Sequence, residues 1–272
     1  MRRQTSRLLD ASQGIYLVFV LALLLIPLLA LLPMSLGSSS TISAYPAQWS
    51  TRWYEQVLGS AEWRSAFGWS MLTAVAASVI STTMGYFAAA AMVRSQSRLQ
   101  PVLQILVMLP MMVPAVVVAL ATYVLANSLG LSGSWVAISI GQSLLGLPVA
   151  ALIIAASLRG IDESILRAAL SLGGRDTQVF RLVVLPMALH GILSAAALSF
   201  LIAFDEVLIA IFLTTPSLQT LPVRIFQAVQ YEITPAIAVI SVLLMAVICV
   251  GLILGSLYKW AAQRITPGDE HE

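Results

Sequence analysis

Two adjacent acidic residues, Asp205 and Glu206, interrupt the apolar run SAAALSFLIAFDEVLIAIFL. A charged side chain at bilayer depth costs about 2.5–3.5 kcal/mol, so a pair of them predicts a polar cavity or a partner within the protein. Adjacent residues of a helix are about 100° apart, which places Glu206 on the face of Ser199 and Ala203, and Asp205 on a more apolar face. Two interpretations stay open: a paired or protonated carboxyl holds helices together, or Asp205, Glu206 and Ser199 line a pathway for a solute.

A second polar stretch, RAALSLGGRDTQVFRLVVLP at residues 167–186, also lies between apolar segments. Ile165, Ala169 and Leu172 have the spacing of one helix face. Asp162 is a suitable N-cap and the glycine pair after Leu172 a suitable stop, so the sequence predicts a helix of about three turns, or about 16 Å. Such a helix is too short to span a bilayer. It could lie on the membrane surface, or it could dock a soluble subunit at its two adjacent alanines.

The sequence offers no residue set for catalysis. A nucleotide-binding P-loop needs the pattern G-x-x-x-x-G-K-[ST], but the only lysine, Lys259, is followed by Trp260. Cys249 is the only cysteine, and His190 has no cysteine or carboxylate at metal-ligand spacing. These features predict neither a disulfide nor a metal site. We therefore expect a protein that is not an enzyme and that takes any energy it needs from another subunit.

The composition is that of an integral membrane protein. The chain of 272 residues is 59% hydrophobic, 10% charged and has a mean hydropathy of +0.93, whereas soluble domains carry about 25% charged residues. Its net charge of +2 does not indicate nucleic acid as a partner. Apolar segments of about 20 residues predict an all-α fold with six transmembrane helices. The predicted spans are 15–36, 69–93, 102–125, 135–157, 188–213 and 235–258, with kinks at Pro110, Pro114 and Pro148.

The distribution of basic residues predicts which side each loop faces. With the N-terminus inside, eleven Lys and Arg residues fall on the inner side and three, Arg52, Arg64 and Arg224, on the outer side. Both termini are therefore expected in the cytoplasm. The predicted parts of a single domain 1–272 are an N-terminal helix 1–36, an external loop 37–67, a core 68–260, a cytoplasmic tail 261–272 and, within the core, a cytoplasmic loop 158–187.

The cytoplasmic loop resembles the signature of the permease subunits of binding-protein-dependent ABC importers. That signature reads EAA, three residues, Gly, nine residues, Ile, any residue, Leu-Pro. Here the segment 167–169 is followed after three residues by a glycine, and after nine more by Val183, Val184 and the Leu-Pro pair. The resemblance implies the type I importer permease fold, with the loop helix inserted into a groove on an ATPase subunit. The residues implied in this coupling are Arg167, Ala168, Ala169, Leu172, Gly173, Leu185 and Pro186.

One position departs from the signature. Arg167 stands where the family has Glu, which reverses the charge at the head of the helix. The small residues and the glycine set the fit in this family, so docking is expected to survive the change. Any ion pair that the Glu would form must be lost or replaced.

The resemblance also implies the partners. Two copies of a separate ATPase subunit would bind ATP and Mg²⁺, and this chain would carry no cofactor. A second permease subunit would complete the pathway as a heterodimer with this chain, and a binding protein would deliver the solute on the outer side. The implied location is the bacterial inner membrane, with the lipid bilayer around the spans.

Two further stretches, SFLIAFDEVLIAIFL and TLPVRIFQAVQYEITPAIA, resemble the second permease subunit of polyamine, opine and phosphonate importers. Acidic residues in the route would attract a cationic amine. A polyamine is therefore the expected cargo, with an opine or an aminophosphonate as the alternatives. From another class, the alternative is a proton- or ion-coupled secondary transporter or channel that uses Asp205 or Glu206. It would leave the match from Ala168 to Pro186 unexplained.

Overall fold

The computed structural model describes residues 2–41, 43–94, 98–231 and 234–265. Within these ranges the chain is helical and contains no β-strand beyond two isolated bridges, which confirms the predicted all-α fold. The helices are α1 (Arg2–Ser35), α2 (Arg52–Gly59), α3 (Ala61–Arg94), α4 (Gln100–Met112), α5 (Ala115–Ser128), α6 (Trp135–Arg159), α7 (Glu163–Ser171), α8 (Asp176–Val179), a π-helical turn (Phe180–Val184), α9 (Leu185–Phe204), α10 (Leu208–Leu213), α11 (Leu221–Tyr231) and α12 (Ala236–Ile265).

Five helical segments of the described chain are long and apolar enough to cross a membrane, and a bent helix pair could form a sixth span. The pair is α4 and α5, which meet at 100°. The kink predicted at Pro114 is therefore a full break, and the predicted span 102–125 is two helices rather than one. Proline at 114 has no N–H for the helix and disfavours helical geometry at the residue before it, and Val113 is indeed extended, with φ −89° and ψ 135°. Pro110 and Pro148 lie inside α4 and α6.

The predicted span 188–213 is also wrong as one helix. The chain is already helical from Asp176, and α9 ends at Phe204. The next helix, α10, starts only at Leu208, so the two acidic residues lie in a short connection rather than in the middle of a helix. At this break the carboxylate of Glu206, rather than a helical carbonyl, accepts hydrogen bonds from N–H groups at the start of α10.

Two of the predicted loop boundaries also shift. The predicted external loop 37–67 contains α2 and the first seven residues of α3, since α3 begins at Ala61. The predicted cytoplasmic tail begins at 261, but α12 continues to Ile265. Residues 266–272 of that tail lie outside the described residues. The remaining predicted spans 15–36, 69–93, 135–157 and 235–258 correspond to α1, α3, α6 and α12, and agree with their apolar segments to within about two turns.

The chain packs as two compact units. The first comprises Met1–Ser60 with Gln227–Glu272, and in its described part α1 and α2 both pack against α12. Two side-chain hydrogen bonds connect its segments. The hydroxyls of Ser35 and Tyr54 are 2.7 Å apart, and the indole N–H of Trp53 donates to the Ser39 carbonyl at 3.0 Å.

The second unit, Ala61–Phe226, is built on the bundle of α3, α6 and α9. Small residues permit the close approach of these helices. A Cβ atom on Gly85 of α3 would lie 2.8 Å from the Cβ atom of Ala150 and 3.0 Å from the backbone nitrogen of Ala151, both on α6. Among the hydrophobic clusters of this unit, one lies beside α7 and another between α5 and α10. The bundle therefore connects the loop 158–187 to the helix break after Phe204.

Candidate functional site

The short helix α7 begins at the predicted N-cap. The Oδ1 atom of Asp162 accepts a hydrogen bond from the backbone N–H of Ser164 at 2.8 Å, which satisfies one of the donors left free at a helix start. This backbone N–H is the main reason why the pKa of the Asp162 carboxyl is held below its usual range. The Ser164 side chain and the charge of Arg167 lower the same pKa further. The cap is therefore a carboxylate at neutral pH.

The end of α7 depends on the glycine pair. Gly173 has φ +84°, a left-handed conformation that other residues rarely adopt, and its N–H donates to the Leu170 carbonyl at 3.0 Å. The N–H of Gly174 donates to the Ala169 carbonyl at 3.2 Å. A Cβ atom at Gly174 would lie 2.8 Å from that same carbonyl oxygen. The first glycine thus supplies the turn and the second supplies room for it.

The outer surface of α7 is open. None of its residues is buried, and Leu172 at its C-cap position is 89% exposed. Arg167 and Ala168 are exposed, and Ala169 is half-buried. Arg167 forms no ion pair among the described residues. The predicted coupling residues of α7 therefore form an accessible surface of small and apolar side chains with one positive charge.

The inner surface of α7 contains two half-buried residues, Leu166 and Ala169. Leu166 packs against the loop-side cluster, whose buried members come from α3, α6, α9 and the connections of the loop. Phe180, in the π-helical turn, packs on the same cluster and lies 5.7 Å from the ring of Tyr86 on α3. The buried members of this cluster are Ala89, Ala150, Ile154, Ala155, Leu158, Ile161, Val184, Ala188 and Ala195. A displacement of α7 would therefore be transmitted to three spans, α3, α6 and α9.

The last two predicted coupling residues, Leu185 and Pro186, start α9. Proline is favoured in the first helical turn, where its missing N–H needs no acceptor. The π-helical turn before them keeps Val184 buried in the loop-side cluster while Leu182 remains exposed. The motif thus joins the loop directly to a membrane span.

The two acidic residues have different surroundings. Glu206 is 8% exposed, and both of its carboxylate oxygens accept hydrogen bonds from the backbone N–H of Ile209 at 2.9 Å. Its Oε2 atom also accepts from the N–H of Ala210 at 3.2 Å. Asp205 occupies the C-cap position of α9 and its side chain is exposed. The prediction of two carboxylates in mid-helix is therefore wrong, because one of them replaces helical carbonyls as the acceptor for the N–H groups that start α10.

Ser199, the third predicted pathway residue, lies between helices. It is 1% exposed, and its hydroxyl donates weakly to the Gly146 carbonyl at 3.4 Å. A Cβ atom on Gly146 would lie 3.2 Å from the Cβ atom of Ser199. For Ser199, this environment favours close packing between helices over the predicted lining of a pathway.

A band of buried polar residues was not anticipated as a group. Ser78 and Ser81 of α3 donate to the carbonyls of Ala196 at 2.7 Å and Ser143 at 2.9 Å, and so connect α3 to α9 and α6. Gln142 of α6 is also buried, and its Oε1 atom has no hydrogen-bond partner among the described residues. The i, i+3 spacing of Ser78 and Ser81 is the sequence signal that could have revealed this band.

A second unanticipated contact joins α11 to the start of α3. Arg224 donates to a carboxylate oxygen of Glu62 at 3.0 Å, and its guanidinium lies 5.1 Å from the ring centre of Trp63. The N–H of Leu221, at the start of α11, donates to the hydroxyl of Ser70 at 2.7 Å. The partners are about 150 residues or more apart in the sequence, so no local pattern could have paired them.

Comparison with known proteins gives matches over most of the chain. Residues 81–267 match the family described as Binding-protein-dependent transport system inner membrane component. The chain is 26% identical over 260 residues to the spermidine/putrescine transport system permease protein PotC of Escherichia coli (strain K12), which covers 94% of this chain and 97% of that protein. It is 30% identical over 229 residues to the putrescine transport system permease protein PotI of the same strain, with 82% and 81% covered.

A solved structure has the same fold. It is the crystal structure of a bacterial ABC transporter involved in the import of the acidic polysaccharide alginate, with a TM-score of 0.69 at 16% identity, covering 94% of this chain and 97% of the other. At this level of identity the likeness concerns the fold alone.

Proposed function

The chain belongs to the binding-protein-dependent transport system inner membrane components, and on this premise we propose that it passes a polyamine across the membrane with energy from ATPase subunits docked on α7. It is a multi-pass permease subunit of an ABC importer, located in the bacterial inner membrane. Family membership decides against the secondary transporter or channel that Asp205 and Glu206 alone would have allowed. The observation that carries the proposal is an exposed helix surface whose inner side is packed into the core of the spans.

The coupling role rests on the two sides of α7. Its exposed side offers Ala168 and Leu172, which allow a partner to approach closely and bury apolar area. Its inner side transmits any displacement through Leu166 to the loop-side cluster, since closely packed cores shift as units rather than deform. Gly173 and Asp162 keep the helix short and rigid, so little of an applied displacement would be absorbed within it.

The energy source is a separate protein, because a P-loop needs a Gly-Lys pair that this sequence lacks. We infer two ATPase subunits that bind ATP and Mg²⁺, one for each permease subunit. We further infer that this chain pairs with a different permease chain and receives its cargo from a binding protein on the outer side. The chain itself would catalyse no reaction, in keeping with relatives named as transport permease proteins.

The cargo follows from the relatives and from Asp205. PotC and PotI are named for the transport of spermidine and putrescine, which are cationic amines at neutral pH. In this chain one carboxylate, Asp205, is exposed at the break between α9 and α10 and forms no ion pair among the described residues. A negative charge at that position would attract a cationic amine and repel an anionic solute. These two points support a polyamine over an opine or an aminophosphonate.

Transport would proceed by alternating access. Closure of the ATPase subunits on ATP would push α7, and the three spans joined by the loop-side cluster would tilt and open the pathway on the outer side. Hydrolysis would release α7 and return the pathway to the inner side. This sequence requires α7 and both termini on the cytoplasmic face, which is the orientation that the basic residues predict.

Uptake into vesicles tests the function. The importer would be assembled from this chain, its permease partner and its ATPase, reconstituted with binding protein outside and ATP inside, and supplied with labelled spermidine. We expect uptake only when ATP and the binding protein are both present. Uptake without ATP would contradict the coupling, and ATP-driven uptake of another solute but not of spermidine would contradict the cargo alone.

Cross-linking tests the docking surface. With Cys249 replaced by Ser, the substitution Ala168→Cys places a single thiol on the exposed side of α7. We expect a short thiol cross-linker to capture the ATPase subunit in intact membranes. The matched control, Ser132→Cys, is also exposed but lies in the connection between α5 and α6, and it should capture no ATPase. Equal capture at both positions, or none at Ala168→Cys, would contradict docking on α7.

A further inference from the structure

The carboxylate of Glu206 is already occupied by the backbone of its own chain. Its two oxygens accept three hydrogen bonds from two N–H groups, at 2.9, 2.9 and 3.2 Å. The N–H groups at a helix start have no acceptor within the helix, and a buried N–H without an acceptor is costly. A cargo cation could bind Glu206 only in competition with this cap.

The residues that Glu206 holds are also those that seat α10. Ile209 and Ala210 are fully buried in the cluster between α5 and α10. A Cβ atom on Gly141 of α6 would lie 2.6 Å from the Cγ2 atom of Ile209 and 2.9 Å from that of Thr122 on α5. The first turn of α10 is therefore wedged between α5 and α6 at a glycine. Fixing its N–H groups fixes where the whole short helix lies.

Asp205 differs from its neighbour in each of these respects. Its backbone N–H donates to the Leu201 carbonyl at 3.1 Å and so forms the last hydrogen bond of α9. Its side chain is exposed, and among the described residues it accepts no hydrogen bond and forms no ion pair. Asp205 lies at the end of an exposed face of α9, because Leu201 and Leu198, four and seven residues earlier, are also exposed.

We propose that Glu206 is a positioning residue, which caps α10 and fixes its place between α5 and α6, and that the neighbouring Asp205 is the carboxylate presented to the cargo. This inference rests on the proposed function as regards the cargo, but not as regards the cap. It gives the two adjacent acidic residues different roles: Glu206 is structural, and Asp205 faces the solute.

Matched amide substitutions separate the two duties. Glu206→Gln removes the charge but keeps one oxygen that can accept from the α10 backbone, whereas Asp205→Asn removes the charge that faces the cargo. We expect Glu206→Gln to retain at least about half of ATP-driven spermidine uptake and Asp205→Asn to reduce it by about tenfold. Glu206→Ala, which keeps no acceptor, should also reduce uptake by about tenfold. If Glu206→Gln is as damaging as Asp205→Asn, Glu206 acts through its charge and the proposal is overturned.

A thiol on α10 reports the cap without any transport measurement. Leu213 is buried at the far end of α10 from the capped N–H groups, so Leu213→Cys in a chain with Cys249→Ser leaves the cap intact. We expect this thiol to resist a water-soluble maleimide in the assembled importer when residue 206 is Glu or Gln, and to react at least about fivefold faster with Glu206→Ala. Asp205→Asn should leave the thiol protected.

The uptake measurement and the thiol measurement test different parts of the proposal. If Asp205→Asn transports normally while the thiol still becomes reactive only with Glu206→Ala, the cargo assignment fails and the cap stands. If the thiol reacts equally in every variant, or stays protected with Glu206→Ala, the positioning role is overturned whatever the cargo. Should Glu206→Ala fail to insert, the comparison of Glu206→Gln with Asp205→Asn still decides between the two roles.

Discussion

Asp205 and Glu206 are adjacent acidic residues, yet their side chains lie in different environments. The side chain of Glu206 is buried, and it accepts hydrogen bonds from the N–H groups of the residues three and four positions later in the chain. Asp205 ends the preceding helix and stays exposed. Helical periodicity placed the two residues on two faces of one continuous helix. It could not indicate that the helix breaks between them and that the second carboxylate caps the helix that follows.

At the same scale, Asp162 determines where α7 starts. Asp162→Ala removes the acceptor for the Ser164 N–H, and we expect the amide protons of the first turn of α7 to exchange faster with solvent. Asp162→Asn is the matched control, because its side-chain oxygen can still cap. Hydrogen exchange of the reconstituted importer measures both, and equal exchange in the alanine variant would show that the cap does not hold the helix.

The same carboxyl predicts a pH dependence. Because the Ser164 N–H lowers the pKa of folded Asp162, its contribution to stability is fully present above the ordinary aspartate pKa of about 3.9. It is lost only as the pH falls through the lower folded value. Exchange protection of α7 should therefore be unchanged between about pH 8 and pH 5. Loss of protection near pH 6 in the wild-type chain but not in Asp162→Asn would contradict this assignment.

Gly173 predicts a substitution pattern set by backbone geometry. No atom would meet a Cβ at this position, but φ is +84°. Gly173→Val should therefore cost about 1–2 kcal/mol through strain alone and shift the end of α7. Gly173→Asn should be tolerated, because Asn adopts left-handed geometry more readily. We expect the valine variant to keep ATP hydrolysis but lose at least about half of the uptake per ATP. Equal coupling in both variants would show that this turn does not transmit force.

At the scale of elements, the spans differ in continuity and in packing. Two predicted spans, 102–125 and 188–213, are each broken, and their second pieces, α5 and α10, pack on each other and on α6. In contrast α3, α6 and α9 are continuous and form a tight bundle, in which glycine and other small residues lie at the crossings. The two breaks are the places where these spans depart from a continuous helix.

The crossing of α3 and α6 can be tested at Gly85. A Cβ there would meet the backbone of α6 at 3.0 Å, so the helices must move apart. We expect Gly85→Ala to lower the free energy of unfolding by about 1–3 kcal/mol. Gly251→Ala in α12 is the control, because no atom lies within 4 Å of a Cβ at that position, and it should be neutral or stabilise by up to about 1 kcal/mol. Unfolding of both variants in detergent would measure the difference, and similar values would refute close packing at this crossing.

At the scale of the whole molecule, the orientation in the membrane is a prediction that rests on charge rather than on packing. Eleven basic residues are predicted inside and three outside, and moving several of them across a bilayer would be costly. The exposed residues Ser171, at the end of α7, and Ser132, between α5 and α6, are expected on opposite faces.

Thiol labelling of intact cells measures this orientation. In a chain with Cys249→Ser, the variant Ser132→Cys should react with a membrane-impermeant reagent added outside, and Ser171→Cys should react only after the membrane is opened. Each variant is the control for the other. The reverse labelling pattern would place α7 outside and remove it from any cytoplasmic ATPase.

Much of this protein could be predicted from its sequence because the relevant signals are local. The apolar segments, the cap at Asp162 and the glycine stop all depend on residues a few positions apart. The structure has α7 where these signals place it, whereas two of the predicted spans are broken. The motif from Ala168 to Pro186 also pointed to the family to which the chain belongs.

Only the tertiary structure decided which polar side chains already have hydrogen-bond partners within the chain. Glu206 is a cap rather than an open carboxylate because α10 needs acceptors once Ile209 is wedged at Gly141. Ser199 is buried because α9 approaches Gly146 of α6 closely enough to exclude other groups. Arg224 finds Glu62 across more than 160 residues of chain. In each case the deciding neighbour is distant in sequence, so the free energy of the side chain depends on packing that no local pattern encodes.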